Sequence, residues 1–380
     1  MKKQNMIFRL KLEIDELVTE MVGKLPESLF ISDSTTFLDP SMAGGQFVQA
    51  IEFKLRNHGH SDANIKKRVF GVEKSLLRVN YAVNSRKLVG SYTVDTKDIP
   101  DIFMNMKFDA IVGNPPYQKA VGERKTEPLW HIFVENSIKS LKDGGYLCYV
   151  HPSGWRDVDG RFKDIGNLLK SKNILYLEMH SDGDGKKTFN ATIPYDWYVL
   201  RNVNSKNNTL VKFQDGDVRN IDLDKIPFIP NGGFDKIMSL IAKPGEETVE
   251  VIYDRSMYGT DKSNMSDTQT ETYKHPIVYT IKNTGVPNLW FSSEKKGHFG
   301  VSKFVWCNGK GTGVFVDNDG TYGLSQFTYA IVDKPKNLEH IKKAITSNKF
   351  KKLIEDSSTN GTINRRVLSL FRKDFWKDFV

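Results

Sequence analysis

Residues 111–117 read Ile-Val-Gly-Asn-Pro-Pro-Tyr, and the paired prolines restrict the chain there more than any other run does. Phe108, Asp109, Ala110, Ile111 and Val112, just before them, have the content of a short apolar strand. Two prolines fix φ twice and remove two N–H donors, so neither a ladder nor a helix continues through them. The chain must leave its sheet at Asn114, at the carboxyl edge where open α/β folds build their sites. The carbonyls of Asn114 and Pro115 and the Asn114 side-chain oxygen then have an external donor, such as an amino group, as their natural partner. Tyr117 offers a flat face for a ring. Asn-Pro is also common turn chemistry, so the same four residues suit an ordinary strand-to-loop turn.

Around this strand the first two hundred residues alternate apolar strands with helical segments, the pattern of a mostly parallel sheet. Helices are expected over 8–23, after Gly45 with Phe47, Ile51 and Leu55 on one face, and over 128–141. Strands are expected at 36–38, 68–73, 91–94, 108–112, 146–150, 174–179 and 195–201, with Gly144-Gly145 as a helix stop. Breakers from Ile226 to Gly233 mark a linker, followed by a short helix over 234–241 and a polar loop near 254–272. Residues 276–332 carry aromatic and β-branched runs, with a hairpin turn expected at Asp317-Asn318-Asp319-Gly320 and a lysine-rich helix over 337–355. A chain of 380 residues exceeds one comfortable core. The expected division is a catalytic domain at 1–225, a linker with a short helix at 226–245, and a second domain at 246–380.

Two cysteines, Cys148 and Cys307, lie far apart without metal-ligand spacing, which fits a reducing compartment and argues against a disulfide framework or a zinc site. The first residues lack the apolar core of a signal peptide, and no stretch approaches the ~20 apolar residues that span a bilayer. The expectation is a cytoplasmic protein without a membrane partner. From Lys274 to the end there are 18 Lys/Arg against 9 Asp/Glu, so this final third carries the whole net charge of +9. A cationic segment on a balanced body suits a polyanion partner, though charge alone equally describes a solvated basic face.

Leu38-Asp39-Pro40-Ser41-Met42-Ala43-Gly44-Gly45 sits between the first strand and its helix, where small residues let a ligand approach the backbone. Glu73 ends the next strand, the place of a carboxylate that holds ribose hydroxyls, although a surface carboxylate also ends strands this way. In the order Asp39-Pro40, Ala43-Gly44-Gly45, Glu73, Asn114-Pro115-Pro116-Tyr117, the chain resembles S-adenosylmethionine-dependent N6-adenine DNA methyltransferases of the TaqI and Eco57I types, over roughly residues 31–201. The resemblance implies an α/β fold: a Rossmann-like methyltransferase sheet with a smaller C-terminal α+β target-recognition domain. It implies S-adenosylmethionine as cofactor, with Asp39, Pro40, Ala43 and Gly45 facing its methionine part and Glu73 holding the ribose. Asp95, with Asp98 close behind, would contact its adenine. Asn114 and Pro115 would accept hydrogen bonds from the target amino group, Pro116 shapes the turn, and Tyr117 would stack on the base. Phe189, in Lys186-Lys187-Thr188-Phe189-Asn190, is the candidate second aromatic, with a core phenylalanine packing a hairpin as the other reading. The family's usual glycine is Ala43 here, and its N-terminal Thr-Pro pair is absent, which leaves that contact to the methionine end unassigned.

The resemblance further implies site-specific methylation of a flipped-out adenine in double-stranded DNA, with metal ions playing no part. Neither cysteine lies in a nucleophile motif, which disfavours covalent cytosine-C5 chemistry. Lys274, Lys282, Lys295, Lys296, Lys303 and Lys310 interleave with Tyr279, Trp290, Phe299 and Trp306, and Arg365-Arg366 and Arg372-Lys373 follow. Such residues supply phosphate contacts, although most of these aromatics suit a small-domain core better than base stacking. With 38 residues before Asp39, the expectation is a stand-alone modification enzyme, its endonuclease encoded separately where one exists. An RNA-adenine or protein-glutamine methyltransferase of the same chemistry, and a catalytically dead nucleic-acid-binding protein, are the competing expectations.

Overall fold

In a computed structural model of the chain, the structure describes residues 15–121, 123, 125–158, 160–204, 207–254, 263–295, 298–307, 313–357 and 364–380. Two compact units divide between Phe228 and Ile229.

The first unit alternates helices and strands as the sequence pattern requires. In order come α1 (residues 15–23), α2 (Ser28–Ile31), β1 (Phe37–Asp39), α3 (Gln46–Asn57), α4 (Asp62–Lys66), β2 (Val69–Glu73), α5 (Leu76–Arg86), β3 (Ser91–Val94), α6 (Ile102–Asn105) and β4 (Phe108–Gly113). Of the helix expected over 8–23, residues 8–14 lie outside the described residues. A two-stranded ribbon follows, β5 (Gln118–Ala120) and β6 (Thr126–Pro128), which the sequence pattern had not suggested. The remainder is α7 (Trp130–Ser140), β7 (Leu141–Pro152), α8 (Lys163–Lys170), β8 (Asn173–His180), α9 (Asp182–Phe189), β9 (Tyr195–Arg201), β10 (Thr209–Lys212) and β11 (Val218–Ile221).

Nine strands form one sheet in the order β11-β10-β8-β9-β7-β4-β1-β2-β3. β1, β2, β3, β4 and β7 run parallel, and β9 is antiparallel between β7 and β8. The chain winds outward from β1 through β2 to β3, then returns to the other side of β1 as β4. The carboxyl ends of β1 and β4 therefore flank a switch point, where open sheets bind ligands. The sheet is two strands wider than expected, because β10 and β11 extend it beyond β8. Gly144-Gly145 does not stop α7. Leu141 ends that helix already extended (φ −75°, ψ 144°), and both glycines lie within β7. There Gly145 passes so close to β4 that a Cβ would meet the Phe108 and Asp109 carbonyls at 3.1 Å.

Alternate residues of the central strands go to opposite faces. Phe37, Val69, Val112, Val150 and Trp197 pack in one cluster with Val48, Ile51 and Leu55 of α3 and with Val18, Met21 and Val22 of α1. On the other face Tyr149 meets α7 through a buried hydroxyl contact to Ser137 Oγ of 2.6 Å. Sheets buried on both faces need such near-continuous apolar strands.

The second unit opens with α10 (Phe234–Leu240). The stretch expected as a linker at 226–245 is bonded into this unit from Asn231 onward: its N–H donates to the Asp356 carbonyl at 2.6 Å and Ala242 to Leu370 at 2.9 Å. Strands β12 (Glu250–Tyr253), β16 (Lys303–Cys307), β17 (Val314–Asp317) and β19 (Thr328–Val332) form one four-stranded sheet, while β13 (Met265–Ser266), β14 (His275–Ile281), β15 (Pro287–Ser292) and β18 (Gly323–Leu324) form another. Of the loop expected near 254–272, residues 255–262 lie outside the described residues. The turn at Asp317–Gly320 is not a hairpin: it carries the chain from β17 in one sheet to β18 in the other. The lysine-rich segment is two helices, α11 (Pro335–Thr346) and α12 (Asn348–Ser357), because Ser347 between them is extended (φ −68°, ψ 150°). A short α13 (Arg365–Leu368) follows. The unit is thus α+β.

Candidate active site

The end of β1 delivers Asp39 and the end of β4 delivers Asn114, side by side across the switch point. Asp39 is buried and its Oδ1 accepts the Ser41 N–H at 3.0 Å. Burial, together with the nearby Glu73 charge, pushes its carboxyl up to about 7, and the Ser41 hydrogen bond only partly opposes this. Gly113 makes the close approach possible, since a Cβ there would lie 3.0 Å from Asp39 Oδ1. The turn that follows is left-handed twice, at Ala43 (φ 43°) and Gly45 (φ 78°). Ala43 holds a conformation that ordinarily selects glycine, at a cost of about 1–2 kcal/mol. Gly45 caps α3, and a side chain on it would strike Leu88 Cδ1 at 2.9 Å.

A cleft of about 420 Å³ opens above these strand ends, lined among others by Pro40, Ala43, Glu73, Asp95, Asp98, Asn114 and Pro116. That volume falls within the usual range of small-ligand sites. Most of the sequence-selected residues therefore converge, with Asp39 buried and Gly45, Pro115, Tyr117 and Phe189 outside the lining of the cleft. Glu73 Oε1 accepts the Ser75 N–H at 3.2 Å, and its other oxygen has no hydrogen bond among the described residues. Asp95 accepts the N–H groups of Lys97 and Asp101 at 3.0 and 2.7 Å, and these backbone donors hold its carboxyl below the usual range. Asp98 pairs with Lys74 at 2.6 Å and Lys119 at 3.7 Å, and Lys74 above all lowers its pKa. Both carboxylates line the cleft, and each is already engaged.

Asn114 Oδ1 is buried without a hydrogen-bond partner, and so is the Tyr117 hydroxyl. Burial raises the Tyr117 pKa, with Tyr195 adding to the rise and Asn114 moderating it. An orphaned buried amide oxygen is costly unless a ligand completes it. Phe189, at the last position of α9, meets the Tyr117 ring edge-to-face, with centroids 6.3 Å apart and planes at 77°. Phe189 also abuts Tyr195 at 5.0 Å and packs against the core cluster. Helix α9 is fixed by a capping box between Ser181 and Asp184. Gly185 in its middle sits where a Cβ would meet the Ile193 carbonyl oxygen at 2.1 Å. The donor set fits the cofactor the resemblance implies: a deep carboxylate, a second carboxylate at a strand end and an unsatisfied acceptor share one cleft.

Sequence reasoning did not single out Ser41, Lys74, Lys97 or the ribbon residues Gln118, Lys119 and Ala120, which also line the cleft. Both cysteine thiols are shifted upward by burial, in keeping with their exclusion as nucleophiles.

In the second unit, the cationic residues divide. Lys274, Lys282 and Lys295 are exposed, whereas Lys296 and Lys310 lie outside the described residues. Lys303 cannot touch a phosphate. It is fully buried and paired with Asp317 at 2.6 Å. Arg372 is tied to Asp374 and Asp378, and Lys373 to Glu247. Arg365 lies over the Tyr253 ring at 4.1 Å. Trp306 is buried, while Tyr279 and Trp290 stack at 4.4 Å and, with Phe299, pack on Met265 and Ile277 as a small core.

Residues 41–182 match the Eco57I restriction-modification methylase family. The type II restriction enzyme and methyltransferase RM.Eco57I of Escherichia coli is 30% identical in an alignment of 124 residues, with 25% of this chain and 12% of that protein covered. The chain thus matches only a small part of that relative's length. Among solved structures, a modification subunit of a putative type I restriction enzyme from Vibrio vulnificus YJ016 is 16% identical, with a TM-score of 0.42 over 59% of this chain and 51% of that one. The type IIG restriction endonuclease BpuSI is 8% identical, with a TM-score of 0.48 over 97% and 60%. The matched segment includes Ser41–Gly45, Glu73 and Asn114–Tyr117, while Asp39 and Pro40 precede it. Residues 41–182 are thus similar to the Eco57I restriction-modification methylases, and the cofactor of this cleft is S-adenosylmethionine.

Proposed function

We propose that this chain methylates the N6 amino group of a flipped-out adenine at a specific sequence in double-stranded DNA. The observation that carries the reading is the buried, unpartnered Asn114 Oδ1 at the switch-point cleft, three residues before Tyr117, whose ring meets Phe189 edge-to-face. S-adenosylmethionine, when bound, supplies an electrophilic methyl group. Pro40, Ala43 and Glu73, which line the cleft, would hold the cofactor together with the buried Asp39, and Asp95 and Asp98 would contact its adenine.

The target amine is a poor nucleophile, because its lone pair is delocalised into the ring. Asn114 Oδ1 and the Pro115 carbonyl accept hydrogen bonds from its two N–H groups and turn the nitrogen lone pair toward the cleft. Tyr117 stacks on the extruded ring and Phe189 bounds it, offsetting part of the few kcal/mol that unstacking costs. Transfer is direct and needs no covalent bond to the protein. The exposed lysines of the second unit make phosphate contacts, and that unit reads the sequence. Among the described residues no helix is long and apolar enough to cross a membrane.

The test is methyl transfer from labelled S-adenosylmethionine to unmethylated genomic DNA, with nucleosides identified after digestion. N6-methyldeoxyadenosine is the expected product. Label in RNA or in protein glutamine would replace the substrate, and cofactor binding without transfer to any acceptor would make this a binding protein. Asn114→Ala and Tyr117→Ala should each reduce transfer by ~100-fold or more, with cofactor affinity within about threefold of the parent. Wild-type turnover in either variant would overturn the assignment.

A further inference from the structure

The Asn-Pro-Pro segment is unusual in how little can hold it. The peptide joining Asn114 to Pro115 has no N–H, and neither has the peptide joining Pro115 to Pro116. Hydrogen bonds can orient these two units only through their carbonyls. The Asn114 carbonyl accepts one, from Ser41 Oγ at 3.2 Å. Ser41 is anchored in turn, its N–H donating to Asp39 Oδ1 at 3.0 Å, and it lines the cleft. A continuous path therefore runs from the buried carboxylate of β1, through Ser41, to the strand end that presents the orphaned Asn114 Oδ1.

We propose that Ser41 is a positioning residue for methyl transfer: its hydroxyl fixes the Asn114–Pro115 peptide so that Asn114 Oδ1 and the Pro115 carbonyl converge on one amino nitrogen. This rests on the functional reading above and adds to it the group that aims the acceptors. With its own carbonyl occupied by Ser41, Asn114 has its side chain left for the substrate. The turn containing Ser41 is also the turn that faces the cofactor, so one residue sets the distance between the two reactants. Losing such a hydrogen bond lets the peptide rock, and an acceptor misplaced by a fraction of an ångström weakens only the aligned state.

The experiment compares Ser41→Ala and Ser41→Thr with the parent in three readouts: kcat on duplex DNA, KM for DNA, and equilibrium affinity for S-adenosylhomocysteine by calorimetry. Ser41→Ala should lower kcat ~3–10-fold, the size of one neutral hydrogen bond, with both binding constants within about twofold. Ser41→Thr keeps the hydroxyl and should recover most of the rate. An Ala variant as fast as the parent overturns the inference. So does an Ala variant whose calorimetric affinity falls as much as its rate, because Ser41 would then be a cofactor ligand. A threonine variant as slow as the alanine one, at unchanged thermal stability, also counts against it. A parent enzyme that labels no acceptor would instead overturn the functional reading, and this inference with it.

Discussion

Asp39 ties a proton to the cofactor cleft. Burial holds its carboxyl at about 7 in the free protein, so between about pH 4 and about pH 7 the folded chain keeps a proton that the unfolded chain has lost. The stability associated with this group is full below the unfolded value and declines as pH rises through the folded one. The cationic sulfonium and ammonium of the cofactor favour the ionised carboxylate. Affinity for S-adenosylmethionine should therefore increase as pH rises through about 7, with a proton released on binding below that pH. Calorimetry in buffers of different ionisation enthalpy measures the release, and Asp39→Asn should flatten the profile. An affinity independent of pH from about 5 to about 8 would separate Asp39 from the cofactor. Asp39, Glu73 and Asn114 were legible in the sequence because strand ends carry them, and strand ends are marked by local pattern. Ser41 was not, since its partner is 73 residues away and no local pattern names it.

At the scale of the element, α9 places Phe189 against the Tyr117 ring. Gly185→Ala would drive a Cβ into the Ile193 carbonyl, which backbone cannot yield cheaply. Phe189 should then leave Tyr117, and transfer should fall ~10-fold or more, while S-adenosylhomocysteine binding in the cleft stays within about twofold. Unchanged transfer would show that α9 does not place Phe189 for the reaction. In the second unit, Lys303 was expected among the phosphate contacts, yet it closes the β16–β17 pair internally. Lys303→Ala would leave the buried Asp317 without its counter-charge, held by the Thr321 and Tyr322 N–H donors, and should cost about 3 kcal/mol. Chemical denaturation of the whole protein reads this, and a loss under 1 kcal/mol, with a weaker salt dependence of DNA binding, would return Lys303 to the surface. Composition could not foresee the pairing: a lysine in a strand looks the same in sequence whether its partner is a phosphate or an aspartate fourteen residues on.

For the whole molecule, each unit has its own sheets and core, so the prediction is a division of labour. Residues 1–228 alone should bind cofactor and lose tight duplex binding. The full chain should bind DNA with log affinity falling steeply against log salt, about 0.9 per phosphate neutralised. Equal, salt-insensitive binding by the truncated protein would remove DNA contact from the second unit. By itself the sequence determined the kind of sheet, the order of its first strands and the strand ends bearing Asp39, Glu73 and Asn114–Tyr117, because these follow from short-range hydrophobicity and from what proline and glycine allow. Tertiary structure alone decided the sheet's width, the crossing of Asp317–Gly320 from one sheet to another, the meeting of Phe189 with Tyr117, and which lysines are buried. Those outcomes depend on pairings between residues far apart in the chain, whose energies appear only once the strands lie side by side.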